Sequence, residues 1–234
     1  MKGPRALRRT DVVFFDVDFT LIYPGPTFQG VGYRRFCAAH GIEVDEAHFD
    51  GAVRAALADL DHAGHVYDDD IFIRYTRRIV EGMGGRASDE VLNACAREIY
   101  VEWAACHHFF LYDDVADVME QLSLGGIKVG LISNSHRSLD DFQAHFNLGA
   151  TVVAAVSSAE HGYLKPHPSI FRTALDQAGV RAEVSVMVGD SVAHDVEGAR
   201  GVGMRPVLLH RAGDASPDVD VPVIRTLAEL PALL

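Results

Sequence analysis

The sequence predicts an α/β protein: a mostly parallel sheet flanked by helices, with an all-helical segment inserted after the first strand. Three observations carry this. Val12 to Phe15 are four consecutive β-branched or aromatic residues that run straight into Asp16 and Asp18. Such a run reads as a strand buried on both faces. From about residue 113 onward, strand and helix patterns alternate, which is the signature of βαβ units with right-handed crossovers. Between about residues 22 and 105 the pattern is helical, with no convincing strand. The expected organisation is one α/β domain, 1–21 plus 106–234, interrupted by a helical domain at 22–105.

In chain order, residues 1–10 read as a short, poorly ordered leader, and the first strand spans roughly Thr10 to Asp16. Phe19 to Gly32 is dense in turn formers (Pro24, Gly25, Pro26, Gly30) and reads as a loop. Tyr33–Ala39 and Glu46–Leu60 carry apolar residues at helical spacing, with Phe49, Val53, Leu57 and Leu60 expected inward. Asp68, Asp69 and Asp70 suit the start of the next helix, where negative charge is favoured. That helix runs through Ile71, Tyr75 and Ile79 to the glycines at 82, 84 and 85. Ser88-Asp89-Glu90 opens another, carrying Val91, Leu92, Cys95, Ile99 and Trp103.

The second part then alternates. Asp113–Leu124 is a helix stopped by Gly125-Gly126, and Ile127–Ile132 is a strand. Leu139–Phe146 is a helix and Thr151–Val156 a strand. Pro168–Ala178 is a helix with proline in its first turn and Gly179 past its end. Val184–Val188 is a strand, Val192–Arg200 a helix and Arg205–Leu209 a strand. A last helix is expected over Thr226–Leu233, after an acidic surface loop at Asp214–Asp220.

Composition narrows the function. Among 234 residues, 33 Asp and Glu outweigh 21 Lys and Arg, giving a formal charge of −12. That disfavours general binding to nucleic acid or anionic membranes, which rewards cations, but permits a local site for a small anion. Cys37, Cys95 and Cys106 have no metal-ligand spacing and read as buried small side chains. The basic N-terminus lacks an apolar h-region, and no stretch reaches transmembrane length. A cytoplasmic setting is the expectation.

Each core strand is followed by polar residues, and in a parallel sheet these ends face one way. They are Asp16 and Asp18; Ser133, Asn134 and Ser135; Ser157, Ser158, Glu160 and then Lys165; and Asp190, Ser191 and Asp195. Taken singly, Ser133 reads almost evenly as a helix cap, Asp190 could cap the Val192 helix as the lesser reading, Lys165 reads as a solvated charge, and Asp195 alone is a weak signal. As a set they place the four aspartates, hydroxyls and one amine in one cleft. Acids in that number repel, and Mg²⁺, which prefers oxygen ligands, is the simplest remedy. With Lys165 it creates a site for a phosphate. Asp16 can then attack phosphorus. Asp18 can protonate the leaving oxygen and afterwards activate water.

These residues resemble the haloacid dehalogenase superfamily of phosphohydrolases. Its first motif, Asp-x-Asp-x-Thr, appears as Asp16-Val17-Asp18-Phe19-Thr20. Its second is similar to Ser133 in Ile-Ser-Asn-Ser, and its third to Lys165 in Lys-Pro-His-Pro. Its fourth, Gly-Asp-x-x-x-x-Asp, appears from Gly189 and Asp190 to Asp195. The resemblance covers 11–21 and 110–210. It implies a Rossmann-like core with strand one in the middle, and a helical cap over the site at 22–105. It also implies roles. Asp16 is the nucleophile and a metal ligand, and Asp18 is the acid/base with its carbonyl on the metal. Asp190 is a direct Mg²⁺ ligand, while Asp195 acts through water or by positioning Lys165. Ser133 with Asn134, and Lys165, hold the phosphoryl oxygens. The implied partner is a small phosphorylated metabolite, and the chain is expected as a monomer or homodimer.

Two departures matter. The family commonly has Gly where Phe19 stands, so Phe19 must adopt or shift a sharp turn. True dehalogenases lack the acid found here at Asp18, whose presence favours phosphoryl transfer, because an alkoxide leaving group needs a proton. The rivals are a phosphomutase of the same superfamily and a non-catalytic interaction protein on the same fold. No Gly-x-x-x-x-Gly-Lys-Ser/Thr run occurs, which disfavours a P-loop kinase. His107-His108 reads as packing where the chain returns to the core, since a third ligand with suitable spacing is missing.

Overall fold

A computed structural model describes residues 9–60, 64–148, 151–211 and 218–234, with side chains 58–60 excepted. The leader expected at 1–10 therefore falls mostly outside the described residues, as do residues 214–217 of the acidic loop. The elements in order are β1 (Val12–Phe15), β2 (Ile22–Pro24), α1 (Gly30–Ala39), α2 (Phe49–Leu60), α3 (Asp69–Gly82), α4 (Asp89–Glu102) and β3 (Phe109–Leu111). Then follow α5 (Val115–Leu124), β4 (Lys128–Ser133), α6 (Leu139–His145), β5 (Val152–Ser157), α7 (Ser158–His161) and α8 (Pro168–Ala178). The chain ends with β6 (Ser185–Gly189), α9 (Glu197–Val202), β7 (Arg205–Leu209) and β8 (Val223–Ile224). Two compact units result, Met1–Tyr23 with Leu111–Leu234, and Pro24–Phe110.

The first unit is an α/β, Rossmann-like fold on a six-stranded sheet of order β5-β4-β1-β6-β7-β8, parallel throughout. All four β1 side chains are buried, as expected for a central strand covered on both faces. Val12 pairs with Lys128 on one side and Ser185 on the other, and Phe15 with Leu131 and Val188. The three strands are thus in phase, and their carboxyl ends deliver Asp16, Ser133 and Gly189 to one edge of the sheet. On one face Val12, Phe14, Ile132, Val156 and Met187 pack against Ile170, Phe171, Ala174 and Leu175 of α8 and Ala199 of α9. Full burial of a side chain such as Phe14 is worth about 2–3 kcal/mol.

The second unit packs α2 on α3 and α3 on α4. Asp68 caps α3 by accepting from Asp70 N, and Ser88 caps α4 by accepting from Val91 N. Phe28, Trp103 and Phe109 form an aromatic cluster with centroids 4.7 to 5.4 Å apart.

Several local expectations change. Leu57, expected inward, is 46% exposed, and Ala52 and Ala56 take the inner face of α2 instead. A Cβ on Gly82 of α3 would sit 2.7 Å from the Ala52 Cβ. The two helices approach on small residues, and a leucine there would hold them apart. The Leu60 side chain lies outside the described set. Ile22–Pro24 and Phe109–Leu111 pair as a two-stranded ribbon, where a loop and an interdomain return were expected; three residues are too few to show a period. The expected helix at Val192 begins as a wider turn, with Val196 N donating to Ser191 O, before α9. The last helix is 3₁₀ over Leu227–Leu233 and contains Pro231, which lacks the N–H an α-helix would use. Among the described residues, no helix is long and apolar enough to cross a membrane.

Candidate active site

The edge formed by the ends of β1, β4 and β6 gathers most of the predicted residues. Asp16 follows β1 and is anchored by its N–H to Val188 O at 2.9 Å. Its Oδ2 accepts from Thr20 Oγ1 at 3.2 Å and its Oδ1 from Lys165 Nζ at 2.6 Å. The same ammonium donates to Asp195 Oδ1 at 2.7 Å, and Asp195 Oδ2 accepts from Ser191 N at 3.0 Å. Asp16, Asp190 and Asp195 each offer a carboxylate oxygen within 4.8 Å of the others. Lys165 is 2% exposed. It bridges two acids contributed from opposite ends of the chain.

The wide turn at Val192–Val196 brings Asp195 back under the end of β6, and such turns recur at functional sites. Gly189 is what makes this possible: a Cβ there would lie 2.2 Å from the Asp195 carboxyl carbon.

Ser133 ends β4, and its Oγ is buried with no hydrogen-bond partner among the described residues. A buried hydroxyl left unpaired costs about 1–3 kcal/mol, so this atom is poised for an acceptor or donor that is not part of the chain. Asn134, expected at the phosphate, also binds the backbone of the lysine. Its Oδ1 accepts from Lys165 N at 2.7 Å and its Nδ2 donates to Lys165 O at 3.0 Å. Both ends of the amide clamp the backbone that carries the lysine.

Asp18 points its Oδ1 at Arg137 Nη1, 2.9 Å away. Arg137 was not anticipated from the sequence. It lies 119 positions from Asp18, in a Ser-His-Arg stretch without any motif to mark it. Thr20 belonged to the recognised motif but had no role assigned; it braces Asp16. Arg211 was also missed. It donates to Thr20 O at 2.9 Å, pairs twice with Asp114 at 2.9 Å, and stacks 3.8 Å above the Tyr112 ring, so it fastens the turn that follows the acids.

The electrostatics have one origin: one ammonium faces three carboxylates. Burial, reinforced by Asp195, pushes the Asp16 carboxyl up to about 7 although Lys165 pulls it down. Desolvation, then the charges of Asp16 and Asp195, push Asp190 up to about 8. Asp190 nevertheless has the accessible surface of an exposed residue, so solvent reaches its carboxylate. Burial alone would lower the Lys165 ammonium, but Asp16 and Asp195 outweigh it and hold it above its ordinary value.

Phe19 takes the turn itself, with φ +64° and its ring 45% exposed. A left-handed backbone costs a non-glycine residue about 1–2 kcal/mol. Phe19→Gly should therefore raise the unfolding midpoint, by about 2–4 °C for each kcal/mol recovered in a chain of this size. Thermal unfolding checks it; a fall in the midpoint would show that ring contacts outweigh the backbone strain.

Residues 10–203 match a family model described as haloacid dehalogenase-like hydrolase. The chain belongs to this family. A haloacid dehalogenase-like hydrolase domain-containing protein 3 from Danio rerio is 27% identical over 231 residues, 95% of each chain. A protein of Mycobacterium tuberculosis described as a phosphatase is 32% identical over 171 residues, covering 71% of this chain and 75% of its own. The crystal structure of a Bacillus subtilis putative hydrolase of the family, bound to magnesium, aligns with a TM-score of 0.73 at 19% identity, over 96% of this chain and 98% of that one. It shares the fold. This hydrolase has the family's Asp-x-Asp-x-Thr signature with Phe19 between the second Asp and Thr20.

Proposed function

We propose that this hydrolase is a Mg²⁺-dependent phosphatase that cleaves a small phosphomonoester through an aspartyl phosphate on Asp16. The observation that carries the reading is the convergence of Asp16, Asp190, Asp195 and Lys165 beside the unpartnered Ser133 hydroxyl. The phosphatase description of the mycobacterial relative supports it.

The donor set fits a hard divalent cation. Asp16 and Asp190 offer clustered oxygens whose mutual repulsion is uncompensated by the single ammonium, and oxygen donors are what Mg²⁺ prefers. The residues assigned to hold it are Asp16, Asp190 and the Asp18 backbone carbonyl. When bound, it would offset phosphoryl charge as a Lewis acid.

The chain's own groups then act in order. Ser133 Oγ and Lys165 Nζ hold phosphoryl oxygens, and Asn134 keeps Lys165 in place. An Asp16 oxygen attacks phosphorus as the ester P–O bond breaks, and Asp18 gives its proton to the departing alkoxide. Asp18 next takes a proton from water; that water attacks phosphorus, the bond to Asp16 breaks, and inorganic phosphate leaves. Substrate selection is assigned to the inserted helical unit, Pro24–Phe110, as a cap.

The deciding experiment is phosphate release from sugar phosphates, nucleotides, phosphoglycolate and a nitrophenyl ester. Release with Mg²⁺, abolished by a chelator, is the expected result. A folded, metal-loaded protein that releases nothing from any ester refutes the phosphatase reading.

Metal binding has a second signature. Between about pH 4 and 8 the metal-free native state holds protons on Asp16 and Asp190 that the unfolded chain has lost, because both carboxyls are raised. Metal-free stability from these groups therefore grows as pH falls through 8 and 7. Binding Mg²⁺ must displace those protons. The Mg²⁺-induced rise in unfolding midpoint should be larger at pH 8 than at pH 6, and an equal rise at both would disconnect the metal from these acids.

A further inference from the structure

Among the described residues, Arg137 is the largest fully buried side chain, 1% exposed. A guanidinium is charged at any working pH and is too costly to bury without an anion. The anion here is Asp18, whose Oδ1 lies 2.9 Å from Nη1. The two residues arrive from different strands: Asp18 from just beyond β1, and Arg137 from the loop that begins with Ser133 at the end of β4. The loop is itself folded to present the arginine, since Ser135 Oγ accepts from Arg137 N at 2.9 Å. Asp18, in turn, lies three residues past the end of β1, bridges to Ile22, and leads directly into the left-handed Phe19. A carboxylate on so short a turn has several rotamers open to it, and a fixed planar cation selects one.

We propose that Arg137 is a positioning residue for Asp18: it fixes Oδ1 and leaves Oδ2 to exchange the proton with leaving group and water. The assignment rests on the phosphatase reading above and adds a residue to it. A buried arginine that served packing alone would be matched by any acid in reach. Here it engages the acid whose proton transfer the reaction needs. A pre-formed orientation matters because misplacing a reacting group by about 1 Å costs on the order of 10²-fold in rate.

The test exploits leaving groups. An alkyl phosphate leaves as a strongly basic alkoxide and needs the proton; a nitrophenyl ester leaves as a weakly basic phenolate and needs it far less. Arg137→Met, which keeps an unbranched apolar stem, should lower kcat/KM, which reports the step in which the leaving group departs, by roughly 10²-fold on an alkyl phosphate, at the low end of the range for lost general-acid catalysis. On the nitrophenyl ester the loss in kcat/KM should be a few-fold, whereas any slowing of aspartyl-phosphate hydrolysis is common to both esters. In an Asp18→Asn background, Arg137→Met should have almost no further effect on kcat, because the residue acts through the acid. Arg137→Lys, which keeps charge but loses the planar fork, should fall between wild type and Arg137→Met, and it carries the same comparison if Arg137→Met does not fold. Equal losses in kcat/KM on both esters, or losses that add to those of Asp18→Asn, would reduce Arg137 to a structural role and overturn the assignment. A wild-type protein inactive on both esters fails the phosphatase reading first, and this assignment falls with it.

Discussion

Asp16→Asn lowers phosphate release by roughly 10⁴-fold or more, on the scale seen when a covalent nucleophile is removed, while the protein stays folded. The substitution changes one atom in a tightly held side chain. The amide oxygen can still accept from Lys165, which now donates to Oδ1 at 2.6 Å, and the amide nitrogen, in place of the Oδ2 that accepts from Thr20 at 3.2 Å, can donate to the Thr20 hydroxyl instead. One negative charge leaves a cluster in which three carboxylates share one ammonium, so thermal stability should hold or rise. The nucleophile is what disappears, because an amide oxygen does not form a stable bond to phosphorus. Wild type and variant are compared by phosphate release under Mg²⁺, with the unfolding midpoint measured alongside. A variant that keeps more than about a tenth of the activity after purification removes Asp16 from the role of nucleophile, since a tenfold loss is only about 1.4 kcal/mol of barrier.

Lys165→Met has the second large effect, and it acts on stability and rate together. Methionine retains an unbranched stem for the buried channel and loses the ammonium. Asp16 and Asp195 then face each other without a counter-charge in a site where Lys165 is 2% exposed. Removing one partner of a buried pair costs about 3–5 kcal/mol, and each kcal/mol moves the midpoint by about 2–4 °C in a chain of this size. The penalty should be greatest at pH 8 and shrink toward pH 6. The Asp16 carboxyl already stands at about 7, loss of the lysine raises it further, and a proton then replaces the missing cation. Turnover should fall by about 10²–10³-fold, the usual cost of deleting one preorganised donor to a developing anion. An unfolding midpoint unchanged from wild type at pH 8 would show that the ammonium does not neutralise this cluster.

Much of this site is written in short stretches of sequence. Asp16 and Asp18 lie two apart on one turn, and Gly189, Asp190 and Asp195 lie within seven residues. Local spacing therefore announces them, and the apolar runs before them announce the strands. The roles of Thr20, Arg137 and Arg211 are not legible in that way. Thr20 had a motif but no visible partner until its hydroxyl was found on Asp16. Arg137 and Arg211 are single cations among 21 Lys and Arg, and nothing near them in sequence distinguishes a buried arginine from a solvated one. Asn134 shows the converse: its neighbour Ser133 suggested a phosphate contact, and folding adds a second task, because its amide oxygen and one amide N–H bind the Lys165 backbone.

The sequence by itself determined the alternation of the main strands and helices from residue 113 to Leu209, without the short α7 and the edge strand β8, together with the buried central strand and the aspartates and lysine of the site. Those properties depend on periodicity, propensity and residues a few positions apart, which any reader of the chain can count. Only the tertiary structure decided that Lys165 is shared by Asp16 and Asp195, that Arg137 holds Asp18, and that Ala52 rather than Leu57 faces α3. Each of these depends on which groups meet after the chain has closed on itself. A buried charge is satisfied by whichever opposite charge the packed strands bring within about 3 Å. Two helices that touch at a glycine admit only a small residue opposite it, however apolar the alternative.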